Sequence, residues 1–131
     1  MIAGLVLSDK RIIVLEDERE IRGLLYDVLD KHGYQVINLL EPWTVTEIAA
    51  SFEPSLFLID IMLPHMSGIE LAAQLRAGGF ARTPMIALSA SRLMVKMAVE
   101  SRLFQDVIYK PFDIDLLVKT IERYMESSGT R

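Results

Sequence analysis

Five polar side chains follow directly on short apolar runs: Glu16 and Asp17 after Arg11 to Leu15, Asp60 after Leu56 to Ile59, Ser89 after Met85 to Leu88, and Lys110 after Val107 to Tyr109. If the runs are strands lying side by side, their ends bring carboxylates, a hydroxyl and an ammonium to one edge of a sheet. Carboxylate oxygens suit Mg²⁺, which keeps several waters and takes its other ligands from one or two acids and a phosphate. With every group ionised, Glu16, Asp17, Asp60 and Lys110 leave a net double negative charge, and each carboxylate pair about 4 Å apart repels by roughly 4 kcal/mol at an effective dielectric near 20. Such a site should want a divalent cation. With one bound, Asp60 can approach an anionic phosphorus as a nucleophile, and Lys110 and Ser89 can neutralise and hydrogen-bond the phosphoryl group once it arrives.

The elements that must position these residues are legible from periodicity. The Arg11 to Leu15 run gives way to apolar positions Ile21, Leu24, Leu25, Val28 and Leu29, the spacing of one helical face. Gly33 can take a left-handed conformation at that helix's end, and Tyr34 to Leu39 reads as a second strand. Thr44 and Glu47 have capping-box spacing ahead of Val45, Ile48, Ala49 and Phe52, and Pro54 breaks the chain before the central run from Leu56. Ser67 and Glu70 have the same spacing and open a helix that Gly78 and Gly79 end, with Pro84 leading into the strand at Met85. A helix is expected over about Leu93 to Phe104, a last strand over Val107 to Tyr109, and a final helix lined by Ile114, Leu117, Val118, Ile121 and Met125. Strict alternation of strand and helix predicts an α/β fold: a doubly wound, five-stranded parallel sheet with five helices. Strands three and four lack polar alternation, as strands buried on both faces do. In such sheets ligands sit beyond the carboxyl ends of the strands, where the five polar residues fall.

Composition bounds the rest. The chain of 131 residues is the size of one domain, expected to have its core over about residues 10–126 and a frayed tail from 127 to 131. Apolar residues at 51% and charged residues at 24% describe a chain that buries a core. A net charge of −4 disfavours direct contact with nucleic acid or an anionic membrane. Cys is absent, which excludes disulfides, Cys-ligated zinc and thiol chemistry and makes the cytoplasm the expected compartment. The apolar start, Met1 to Leu7, is cut off by Asp9, Lys10 and Arg11 well short of the roughly 18 residues of a membrane span, and no charged segment precedes it as in a signal peptide.

Four segments together resemble the receiver domain of two-component response regulators: Val-Leu-Glu-Asp-Glu at 14–18, Leu-Ile-Asp-Ile-Met-Leu-Pro-His-Met-Ser-Gly at 58–68, Ala-Leu-Ser-Ala at 87–90 and Tyr-Lys-Pro-Phe at 109–112. The resemblance implies the flavodoxin-like strand order 2-1-3-4-5, and that Asp60 accepts phosphate from a histidine kinase or a histidine phosphotransfer protein. It implies that Asp17, Asp60 and the backbone carbonyl of Met62 bind Mg²⁺, with Glu16 acting through water. Ser89 would be the switch hydroxyl, Ala90 its small neighbour, and Lys110 the phosphate-contacting lysine, in a Lys-Pro bond that is usually cis. A domain of this kind is a signalling phosphoacceptor that assists its own phosphorylation and dephosphorylation, not an enzyme with an external substrate. It presents a switched surface, here about residues 93–109, to a downstream protein or a second copy.

Two departures fall on that output side. Val107 stands where the family usually has an aromatic residue, and Leu103 and Phe104 replace a small Gly-Ala pair. Leu93, Met97, Phe104 and Val107 are therefore the expected output surface, with Tyr109 as a substitute for the missing ring. Met62 and Ser91, two residues beyond Asp60 and Ser89, are poorly suited to orient an attacking water, so a long-lived phosphoryl group is expected. Two other readings compete: a receiver-like interaction module that works without phosphate, and a Mg²⁺-dependent phosphohydrolase, which would need an acid where Met62 stands. His32 and His65 read as surface residues, since nothing completes a zinc site, and Trp43 beside Pro42 reads as packing or a loop anchor.

Overall fold

In the computed structural model, which describes residues 10–129, the five apolar runs form one parallel sheet. Its strands are β1 (Arg11–Leu15), β2 (Gln35–Leu39), β3 (Leu56–Asp60), β4 (Met85–Ser89) and β5 (Asp106–Tyr109), in the order β2-β1-β3-β4-β5. The helices are α1 (Arg19–Lys31), α2 (Val45–Phe52), α3 (Gly68–Ala77), α4 (Arg92–Ser101) and α5 (Ile114–Gly129). The Met1 to Leu7 run lies outside the described residues, as do 130 and 131, and the last helix continues through 127–129, the start of the expected tail.

Side-chain alternation divides the core between the two faces of the sheet. Ile12, Val14, Leu58, Leu88 and Ile108 point toward α1 and α5, where they meet Leu25, Leu29, Leu117 and Ile121. Ile13, Leu15, Phe57 and Ile59 point the other way, against Val45 and Ala49 of α2 and Leu71, Ala72 and Leu75 of α3. A smaller cluster continues that second face under α4, where Ile61, Ala87 and Ala98 are buried with Met94, Phe104 and Val107 packed around them. Each fully buried aliphatic side chain contributes about 1.5–3 kcal/mol, so the double-sided sheet is what holds the strand ends rigid.

Two connections differ from the periodicity. The capping box expected at Thr44 and Glu47 does not form, because Pro42–Thr44 is a 3-10 turn. The Thr44 hydroxyl donates to the Glu41 carbonyl at 2.9 Å instead of accepting from the helix. The helix expected to reach Phe104 stops at Ser101, where Arg102 takes a left-handed conformation at φ 61°. Leu103 and Phe104 keep their apolar role by packing onto the second face from the α4–β5 loop. At Ser67 and Glu70 the capping box is present: the Ser67 hydroxyl accepts from Ile69 N at 3.0 Å, and the Glu70 carboxylate from Ser67 N at 3.3 Å.

Candidate functional site

Strand register brings the polar residues together. Leu15 pairs with Ile59, so Glu16 leaves β1 level with Asp60; Ser89 pairs with Tyr109, so Lys110 leaves β5 one step past Ser89. Pairing continues beyond the ladders, with Ile61 N donating to the Leu88 carbonyl at 3.0 Å and Lys110 N to the Ser89 carbonyl at 3.0 Å. The chain ends that carry the site are therefore held by the sheet itself.

Glu16, Asp17 and Asp60 each place a carboxylate oxygen within 4.8 Å of the others. Glu16 and Asp60 are buried, while Asp17 faces solvent. Lys110, its side chain 8% exposed, puts its ammonium 2.7 Å from Glu16 Oε1 and 2.9 Å from Asp60 Oδ2, and it reaches exposed Glu18 at 3.3 Å. The second oxygens are tied to backbone: Glu16 Oε2 accepts from Glu18 N at 2.9 Å, and Asp60 Oδ1 from Met62 N at 2.9 Å. Burial pushes the Glu16 carboxyl up from its ordinary value, against the opposing pull of Lys110 and the Glu18 amide. Burial alone would pull the Lys110 ammonium down, but contacts with Glu16 and Asp60 outweigh it and hold the pKa above that of an ordinary lysine. Lys110 stays charged.

This donor set fits a hard cation. It is all oxygen, it carries excess negative charge, and three carboxylates share the single Lys110 ammonium, which meets buried Glu16 Oε1 at 2.7 Å. Glu16, Asp17 and Asp60 could hold Mg²⁺. A cleft of about 570 Å³ opens beside Asp17, walled by Met62, Pro64, Met66 and Met94 with Ser67 and Glu70 among its polar lining. Met62 is 59% exposed at its rim.

Ser89 is at the same edge and buried, but its hydroxyl is engaged away from the acids: it accepts from Ser91 N at 3.1 Å. Ser91 in turn caps α4, its hydroxyl accepting from Met94 N at 3.2 Å. The Lys110–Pro111 bond is cis, as the resemblance implied. Trp43 is 63% exposed and leans on His65 with ring centroids 5.8 Å apart, joining the β2–α2 loop to the loop after Asp60. His32 sits on the surface, its Nδ1 2.9 Å from the Val28 carbonyl.

Sequence reasoning missed two residues of the site. Glu18, read only as the last residue of the 14–18 segment, completes the ring of acids around Lys110. Gly68 closes the loop after Asp60: its N donates to the Ile61 carbonyl at 2.8 Å, and a Cβ there would collide with the Asp60 carbonyl oxygen and lie 2.8 Å from Ile61 Cα. Its place at the end of the 58–68 segment was the available signal.

A family model described as the response regulator receiver domain matches residues 12–122. Transcriptional regulatory protein YxdJ of Bacillus subtilis is 30% identical over 112 residues, covering 86% of this chain and 48% of that protein. The Regulator of RpoS of Escherichia coli is 31% identical over 121 residues, covering 92% and 34%. The chain thus spans between a third and a half of those two relatives. Sporulation initiation phosphotransferase F of Bacillus subtilis is 26% identical over 121 residues and is matched over 96% of its length, with 91% of this chain covered. Among solved structures, the receiver domain of an HD domain-containing protein from Pseudomonas fluorescens superposes with a TM-score of 0.83 at 20% identity, covering 92% of this chain and 89% of that one. The beryllofluoride-activated N-terminal receiver domain of Klebsiella pneumoniae RstA gives 0.79 at 27% identity, covering 88% and 97%.

Proposed function

The chain belongs to the response regulator receiver domain family, and on that footing we propose that it is a phosphorylation-controlled switch whose acceptor is Asp60. The observation that carries this reading is the convergence of Glu16, Asp17, Asp60 and Lys110 at one sheet edge, with the acid carboxylates within 4.8 Å and the ammonium 2.9 Å from Asp60. Asp60 attacks the phosphorus of a phosphohistidine: an Oδ–P bond forms, the P–N bond breaks, and the imidazole leaves with the electron pair and takes up a proton. Asp17, Asp60 and the Met62 carbonyl would hold Mg²⁺, with Glu16 acting through water, and the ion would supply charge neutralisation there. Lys110 moves from bridging carboxylates to meeting a phosphoryl oxygen, and the Ser89 hydroxyl leaves the Ser91 amide to donate to another phosphoryl oxygen. Met62 orients no water, which favours a long-lived phosphoryl group.

The donor is a histidine kinase or a histidine phosphotransfer protein. The output is a protein surface, without nucleic-acid or membrane contact. Leu93, Met97 and Tyr109 are 66%, 46% and 53% exposed and supply its outer part, for a downstream protein or a second copy. Phe104 and Val107 supply its inner part, packed against the cluster of Ile61, Ala87 and Ala98, and Tyr109 is the substitute for the missing ring. No described helix is long and apolar enough to cross a membrane, and the cytoplasm, where histidine kinases act, is the proposed location. Phosphotransfer profiling against the histidine kinases of the source organism tests the reading. One kinase should label the wild type rapidly and leave Asp60→Asn unlabelled; failure of every kinase would favour a module that docks without phosphate.

A further inference from the structure

Arg76, near the C-terminal end of α3, is half-buried, and all its hydrogen bonds go to uncharged oxygens. Nη1 takes the carbonyls of Phe80, Ala81 and Thr83 at 2.8, 3.2 and 2.6 Å, all in the α3–β4 loop. Nε and Nη2 converge on the Leu103 carbonyl at 3.2 and 2.6 Å, and Nη2 also reaches Gln105 Oε1 at 2.9 Å, both in the α4–β5 loop. Gln105 then grips the start of β4, its Oε1 accepting from Met85 N at 2.6 Å and its N donating to the Met85 carbonyl at 2.8 Å. One charged planar fork holds two loops at the end of the sheet opposite the acids.

The two ends of α4 are thus anchored unequally. At its start, Ser91 rests on Ser89 through two neutral hydrogen bonds, its N donating to the Ser89 hydroxyl at 3.1 Å and its carbonyl accepting from that hydroxyl at 3.5 Å, and Ser89 is the residue that must turn toward a phosphoryl group. At its finish, the chain leaving the helix is held by charge-assisted bonds, each roughly twice as strong as a neutral one. Leu103 and Phe104, packed into the second face, add to that hold.

We propose that Arg76 is the fixed pivot of α4, a positioning residue that confines any displacement begun at Ser89 to the Ser91 end of the helix. The exposed Leu93 and Met97 side chains then swing while the α4–β5 loop keeps its place. This rests on the phosphoacceptor reading of Asp60, and the test separates the two. Hydrogen exchange is followed with and without beryllofluoride and Mg²⁺ in the wild type, Arg76→Met and Arg76→Lys. In the wild type, activation should change exchange at residues 60–63 and 91–97 and leave the Gln105 amide within about twofold; in Arg76→Met the activation effect should spread to 102–105, by roughly fivefold. Arg76→Lys, which keeps the charge but not the fork, should fall between, and it serves with Gln105→Leu if the Met variant does not fold. No response at 60–63 in the wild type would overturn the phosphoacceptor reading and the pivot with it. A wild-type response at 60–63 that already reaches 102–105 would overturn the pivot alone. So would variants that loosen 102–105 equally with and without beryllofluoride, since Arg76 would then serve stability only.

Discussion

At Lys110 one ammonium answers Glu16, Asp60 and Glu18, and the first two are shielded from water. Removing one partner of such a buried set leaves an uncompensated charge, so Lys110→Ala should destabilise the fold by about 3 kcal/mol in urea denaturation without Mg²⁺. Adding Glu16→Gln should recover much of that loss, because it removes the charge left stranded; equal stability of single and double variants would mean the pair is not coupled. Asp17 differs from Glu16 in being exposed, and no described group pairs with its carboxylate. Calorimetry should therefore find Mg²⁺ affinity reduced more by Asp17→Ala than by Glu16→Ala, and comparable losses would contradict the assigned roles. Residue types and their places at strand ends were legible in the sequence. The partners were not: that the Ser89 hydroxyl holds the Ser91 amide, or that Gly68 packs on the Asp60 carbonyl, depends on loop conformations that no spacing encodes.

Among the elements, α4 shows why boundaries were harder to read than strands. Its apolar pattern runs on through Leu103 and Phe104, yet the helix ends at Ser101, because those two side chains reach the core from a loop. No glycine marks the turn. Arg102 sits there at φ 61°, a conformation that costs a residue with a Cβ on the order of 1 kcal/mol. Arg102→Gly should raise the urea midpoint slightly, corresponding to a gain of up to about 0.5 kcal/mol after glycine's extra entropy in the unfolded chain; a lower midpoint would show that Arg102 makes a compensating contact. At Thr44 the misreading has a similar origin. Pro42 favours a tight turn, and a hydroxyl already committed to the Glu41 carbonyl cannot cap the next helix.

For the molecule as a whole, the parallel sheet and its double-sided core followed from alternation and from runs such as Leu56 to Ile59, buried on both faces, while the strand order followed from the resemblance. The same order concentrates negative charge at one end of the sheet, and a cation bound there stabilises the folded state only. Mg²⁺ at ten times its dissociation constant should add about 1.4 kcal/mol, a rise of a few degrees in Tm, and the rise should vanish in Asp17→Ala. A rise that persists in that variant would place the cation elsewhere. The central claim is that the converged residues make Asp60 a phosphoacceptor, and intact mass after incubation with acetyl phosphate and Mg²⁺ tests it most directly. The wild type should gain one phosphoryl group and Asp60→Asn none; equal labelling of the two, or none in either, would contradict it.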